Sequence, residues 1–252
     1  MSRGDRGASG VARRRVLLAV AGLSAAACAP IGRRDPDRPF PVAEAVAPLL
    51  APGGELRAAI NFGNPILASR EPGSGAPRGV SVDLARELAR RLDRPLRLVT
   101  FESAGQVNEA VRRDAWDLAF LAVDPARATE IRFSAPYVMI EGAYLVRDAS
   151  PIRENDQVDR AGHRVVVGRG SAYDLYLSRE LRQAQLVRAS TSPAVTDLMM
   201  AQGLDVAAGV RQQLLADAQR HPGTRVLPGR FMVIHQAMGI PQTRAPRAAR
   251  YV

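Results

Sequence analysis

A short apolar run, Asp117-Leu-Ala-Phe-Leu-Ala-Val123, is followed by Asp124-Pro125-Ala126-Arg127, which has the form of a helix opening. Arginine carries a planar fork of N–H donors that holds a carboxylate through two parallel hydrogen bonds. Placed at the carboxyl end of a strand and beside a helix N-terminus, such a fork faces a natural anion site. The chemistry this suggests is the grip of a small acid. A plainer reading stands beside it: Glu130 falls in the first turns of the same helix, where it would pair with Arg127 on a solvated face. Asp124 before Pro125 also has a plain reading, as an N-cap followed by a first-turn proline.

Composition removes several other chemistries. All 35 cationic side chains are arginine, so neither a lysine Schiff base nor a lysine-dependent phosphate loop exists here. The formal net charge of +10 is spread along the chain, with no basic run paired to aromatic platforms, so no nucleic-acid partner is expected. Cys28 is the single cysteine, which excludes an intrachain disulfide and a cysteine metal cage. His163, His221 and His235 lack ligand spacing, so no metal and no cofactor is expected.

The elements that must position Arg127 alternate along the chain. Leu56–Asn61, Leu96–Phe101 and Leu118–Val123 read as strands, with helices at Val82–Leu92 and Gly105–Arg113 between them. A Gly/Pro/Ser-rich loop spans Phe62–Arg78, and Ala143–Val146 is an extended run. A second alternating unit places strands at Arg164–Val167, Leu186–Ala189, Asp205–Val210 and Thr224–Leu227. Its helices are Ala172–Arg182, Pro193–Gln202 and Gln212–Gln219, and Phe231–Met238 is a last extended run. At 252 residues and 46% hydrophobic content, the chain can bury the core of an α/β fold with two lobes and a cleft between them.

The N-terminus reads as an address. Arg13-Arg14-Arg15 precedes the apolar run Val16–Ala27, too short to span a bilayer, so residues 1–28 form a secretory signal peptide. The arginine cluster fits either a twin-arginine signal or an ordinary basic leader. Ala25-Ala26-Ala27-Cys28 resembles a bacterial lipobox with Ala25 where leucine is usual, so either Cys28 is lipidated or the leader is simply cleaved near Ala27. Residues 29–54 read as a Pro/Ala-rich linker with one short helix at Val42–Leu50.

Several stretches, taken together and in order, resemble the family 3 extracellular solute-binding proteins, the periplasmic amino-acid receptors of ABC importers. They are Gly79-Val-Ser-Val-Asp83-Leu84, Asp114-Ala-Trp-Asp117, Arg127-Ala-Thr-Glu130-Ile131, Phe133-Ser134-Ala-Pro136-Tyr137 and Arg169-Gly170-Ser171. The resemblance runs from about Leu56 to Met238 and implies a periplasmic-binding-protein-like α/β fold, two lobes joined by a two-strand hinge. Residues 55–145 would form lobe 1, 146–232 lobe 2, and 233–252 the return to lobe 1. The resemblance further implies that Arg127 binds the ligand's carboxylate, with Gly170 and Ser171 meeting the same group from a helix N-terminus. Asn61 would face the ligand from the end of the first strand, and Asn64 would lie near the family's aromatic lid over the ligand side chain. Turn formation beside Gly63 and Pro65 explains those two asparagines equally well.

The chain departs from the family where an amino acid's ammonium would sit. An aspartate is common after the strand Asp205-Val-Ala-Ala208, and here Gly209-Val210-Arg211 follows. Either Asp124 supplies the counter-charge, or Arg211 meets a second acidic group on the ligand. Trp116 and Tyr173 read as packing residues. The function implied is capture of a small carboxylate by a monomeric periplasmic receptor that docks on an inner-membrane ABC permease. A dehydratase-like enzyme on the same fold, with Glu141 or Asp174 as its acid, and a sensory or scaffold module are the rivals. Family members usually continue past the return with helices on lobe 1, so the sequence is expected to be either truncated after Val252 or that of a degraded paralogue.

Overall fold

The computed structural model describes residues 43–244. The leader, Cys28 and residues 245–252 lie outside the described residues. The chain enters through α1 (Ala43–Leu50) and β1 (Leu56–Asn61), then a small hairpin of β2 (Ser69–Arg70) and β3 (Pro77–Arg78). α2 (Val80–Leu92), β4 (Leu96–Phe101), α3 (Ala104–Ala110), β5 (Leu118–Ala122) and α4 (Pro125–Ala128) complete the first lobe. After β6 (Ile131–Phe133), the ten-residue β7 (Val138–Arg147) crosses to the second lobe. There β8 (Arg164–Gly168), α5 (Ala172–Glu180), β9 (Gln185–Ala189), α6 (Val195–Ala201), β10 (Val206–Val210), α7 (Arg211–Arg220) and β11 (Thr224–Val226) follow. β12 (Met232–Pro241) crosses back.

One sheet runs through both lobes in the order β4-β1-β5-β12-β7-β10-β8-β9. Each end is parallel, as alternating strands and helices require: β1 lies between β4 and β5, and β8 between β9 and β10. The centre is antiparallel, because β7 and β12 run opposite ways between the lobes, with Met232 opposite Gly142 and Gln236 opposite Val138. The crossing strands are much longer than the extended run expected at Ala143–Val146. Their hydrophobic signal is diluted by Glu141 and His235; each strand is mostly buried, with Met139 and His235 the exposed positions.

Local chemistry explains the elements around the cleft. α2 buries Val82, Ala85, Ala89 and Leu92 on one stripe, with Asp83 in its first turn and Arg90 and Arg91 in its last. Gly79 opens it at φ 111°, and a Cβ there would come within 2.6 Å of the Leu67 carbonyl oxygen. α1 was expected inside the linker. Instead Val46, Ala47 and Leu50 pack into the same core as Leu56, Val82 and Phe120, so the packed body begins before residue 55. The helix opened by Asp124 ends at Ala128, and Glu130 sits beyond it, paired with Arg112 at 2.6 Å rather than with Arg127.

The Asp114–Asp117 turn is a structural anchor. The Trp116 ring is fully buried, and its Nε1 donates to the Val107 carbonyl at 2.9 Å. The Asp117 carboxylate accepts the Arg57 backbone N–H at 2.8 Å, Arg57 Nη2 at 2.7 Å, and the Arg244 guanidinium. Burial raises its pKa, but the arginine hydrogen bonds outweigh burial and hold it below the usual carboxylate range. This knot pins β1 to the start of β5 and so fixes where Asn61 and Ala122 emerge.

The two lobes meet across the cleft. Gly105 of α3 lies against Gly170, so that a Cβ on Gly105 would stand 3.1 Å from the Arg169 carbonyl oxygen and 3.3 Å from Gly170 Cα. Asp124 of the first lobe pairs with Arg179 of α5 at 2.9 Å.

Two outcomes follow for the folded body. Asp117→Asn should lower unfolding stability at neutral pH by on the order of 3 kcal/mol, since it leaves two half-buried arginines without their buried anion. Because the folded pKa is depressed, the lost contribution is complete above the unfolded pKa of about 3.9 and disappears as pH falls through the folded value. Chemical denaturation at pH 7 and at pH 3 should therefore show a gap between variant and parent that narrows in acid; a gap independent of pH refutes the assignment. Gly105→Val should hold the lobes apart while leaving α3 intact, giving a larger radius of gyration by small-angle X-ray scattering. An unchanged radius would show that the glycine contact does not govern closure.

Candidate functional site

The carboxyl ends of β1, β5 and β10 and the N-terminus of α5 converge on one small cavity between the lobes. Its volume is about 30 Å3, and its wall includes Asn61, Ala122, Arg127, Ser171 and Val210. This is the place where α/β sheets collect ligands. A space of this size holds about one water molecule, so any larger guest enters only when the lobes part.

Arg127 is the centre of the site. It is 1 % exposed, buried beneath α4 and the cleft. Its Nη1 donates to the Ala122 carbonyl at 2.9 Å, tying the side chain to the strand that leads to it. Its Nη2 reaches across the cleft to the Gly170 carbonyl at 2.8 Å. Its Nε is buried without a partner. Burial pushes its pKa down to about 10, with the charge of Asp124 opposing the shift, so the guanidinium stays protonated at neutral pH. A solvated Arg127 on a helix face is thereby excluded.

Ser171 caps α5, its Oγ accepting the Asp174 N–H at 3.0 Å, and it also lies on the cavity wall. Both readings of this serine therefore hold geometrically. Gly170, at φ 69°, turns the chain so that its carbonyl faces Arg127. Its N–H is not directed at the cavity, because it donates to Asp174 Oδ2 at 2.8 Å. Asn61 lines the cavity while its Oδ1 accepts the Gly63 N–H at 2.9 Å. Asn64 lines it as well, and its buried Oδ1 has no partner.

Two expected binding residues are engaged elsewhere. The carboxylate of Asp124 accepts the Ala126 N–H at 2.9 Å as an N-cap and holds Arg179, so it is not on the cavity wall. Arg211 begins α7 with its Nε on Glu141 Oε2 at 2.8 Å, and Arg230 holds the other oxygen of Glu141 at 2.8 Å. These arginines keep Glu141 below its ordinary range. Asp174 is equally engaged, by Arg188 Nε at 2.9 Å and by the Gly170 N–H. Neither carboxylate lines the cavity, where a general acid would have to reach a guest.

Three wall residues were missed or placed only in packing. Tyr173 is buried in the wall, hydrogen-bonded to Ser192 and Ser171, and burial raises its phenol to about 12. Ser192 comes from the loop after β9, where only its position before Pro193 marks it in the sequence. Gln236 lies on β12, buried, with an unpartnered Oε1. The signal for Gln236 is a lone amide beside His235 in a strand that is otherwise apolar.

Comparison with known proteins agrees with this fold. No curated protein sequence matches the chain. Among solved structures, a mutant of ArgBP from T. maritima is 19% identical, with a TM-score of 0.67, and the match covers 81% of this chain and 89% of that one. The solute receptor for L-cysteine of Neisseria gonorrhoeae is 20% identical, with a TM-score of 0.67 over 81% of this chain and 82% of that one. An ancestral amino acid-binding protein, a precursor of cyclohexadienyl dehydratase, is 17% identical with a TM-score of 0.67 over 81% and 89%. At such identities the likeness is one of fold, two lobes around a hinge. The sequence itself carries the assignment further: the family model of the bacterial extracellular solute-binding proteins, family 3, matches residues 57–221. The chain belongs to the bacterial extracellular solute-binding proteins of family 3.

Proposed function

We propose that this protein is the extracytoplasmic receptor of an ABC importer, a monomer that captures a small carboxylate by closing its lobes and delivers it to an inner-membrane permease. The observation that carries this reading is the Arg127 guanidinium, buried between the lobes with an unpartnered Nε. A buried cation without a carboxylate is costly, by several kcal/mol in general, and an anionic guest would relieve that cost. Ser171 would add its hydroxyl from the opposite lobe, and Asn61 and Asn64 would meet the polar part of the guest. The structural relatives include an arginine-bound receptor and a receptor for L-cysteine, which supports small-molecule capture. Binding without turnover is favoured over catalysis because Glu141 and Asp174 are both held by arginines.

Calorimetry with a panel of amino and organic acids tests the reading. At least one small carboxylate should bind, and Arg127→Met should weaken it by about 100-fold or more, in line with loss of a buried charged pair. The methionine fills much of the same volume, so the variant should keep its unfolding midpoint within a few degrees. Undiminished affinity in Arg127→Met would refute the assignment.

We also propose that Cys28 is acylated, tethering the mature protein at the membrane surface. A radiolabelled fatty acid should be incorporated by the parent and not by Cys28→Ala. Equal labelling of both would exclude this anchor.

A further inference from the structure

The reading of Arg127 as the carboxylate's partner leaves open what the rest of the guest carries, and the charges around the cleft bear on it. Among the described residues, Arg127 is the only charged side chain on the cavity wall. The carboxylates nearby are each matched to an arginine. Asp124 holds Arg179 at 2.9 Å, Asp174 holds Arg188 at 2.9 Å, and Glu141 holds Arg211 and Arg230 at 2.8 Å each. Asp217 lines the small adjoining space, but Thr196 Oγ1 and Gln213 Nε2 both approach it at 2.7 Å and Arg220 neutralises it. Among the described residues around this cavity, each of these carboxylates is matched, and none is left to meet an ammonium. Besides Arg127 Nε, the unpaired polar side-chain atoms of the wall are Asn64 Oδ1 and Gln236 Oε1, neutral acceptors on residues 8% and 7% exposed.

We propose that the guest is a short monocarboxylate with an uncharged hydrogen-bond donor on its α-carbon, a 2-hydroxy acid, and not a zwitterionic amino acid. Its carboxylate neutralises Arg127, so that the closed cavity holds no net charge. Its hydroxyl donates to Asn64 Oδ1 or Gln236 Oε1 and satisfies an acceptor that is otherwise buried unpaired. An amino acid satisfies the same acceptors but brings a second cation beside Arg127, leaving a positive charge sealed away from water. The apolar remainder of the wall, Leu121, Val210 and Ile234, suits a short aliphatic chain. The inference depends on the Arg127 reading above, and matched ligands separate the two.

The test is calorimetry of the full-length chain at pH 7 with lactate against alanine, glycolate against glycine, and 2-hydroxybutyrate against 2-aminobutyrate. Pyruvate serves as the acid without a donor. The hydroxy acid of at least one pair should bind at least tenfold tighter than its amino partner, and lactate tighter than pyruvate. Gln236→Glu places a carboxylate in the wall and should shift the ratio toward the amino acid by at least tenfold. Amino acids binding as tightly as their hydroxy partners, with Arg127→Met still abolishing that binding, would overturn this inference and leave the carboxylate reading standing. Pyruvate binding tighter than lactate, or an unchanged ratio in a folded Gln236→Glu, would overturn it too. Binding of none of these acids, together with no other carboxylate in the wider panel, would overturn both.

Discussion

A buried guanidinium that joins two lobes sets the terms for everything else around the cleft. Arg127 is fixed at its own strand end by the Ala122 carbonyl and reaches the Gly170 carbonyl on the other side. Carbonyl dipoles stabilise a cation less than a carboxylate does, and removal from water has already lowered its pKa. The positions of Asn61, Ser171 and Gln236 matter because they surround this one group. The strands and their anchors, down to the Asp117 knot beneath β1 and β5, act to hold its surroundings in place.

The sheet explains how two halves can be both rigid and able to separate. Each half is a parallel β-sheet covered by helices, with its own packed clusters: Val107, Trp116 and Leu121 in one, Val166, Met199 and Leu214 in the other. Among the described residues, the strands shared by both are β7 and β12, paired antiparallel with each other. Bending two strands leaves the remaining ladders undisturbed, and a cleft at the carboxyl ends of the parallel strands opens where backbone groups already point at the ligand space.

Much of this was legible in the sequence, and what was not shares a physical cause. The alternation of period-2 and period-3.6 segments placed most strands and helices, and the Asp83-Leu84 helix lies within a residue or two of its expected bounds. Ser171 and Asp124 were readable as caps because capping is local, acting over two or three residues. Which arginine meets which carboxylate was not readable. Asp124 finds Arg179, 55 residues away, and Arg211 finds Glu141, 70 residues away, and nothing local in the chain announces either pair. Gln236 escaped notice for the same reason, since its importance comes from the cavity that two lobes build around it.

The Gly170 carbonyl stands in for a guest. In the closed form it occupies one arm of the arginine fork, and the Asp124–Arg179 pair closes alongside it. On the reading of Arg127 as a carboxylate's partner, that oxygen is a tethered competitor at an effective concentration set by the hinge, and the apparent affinity for an acid scales with the fraction of molecules that are open.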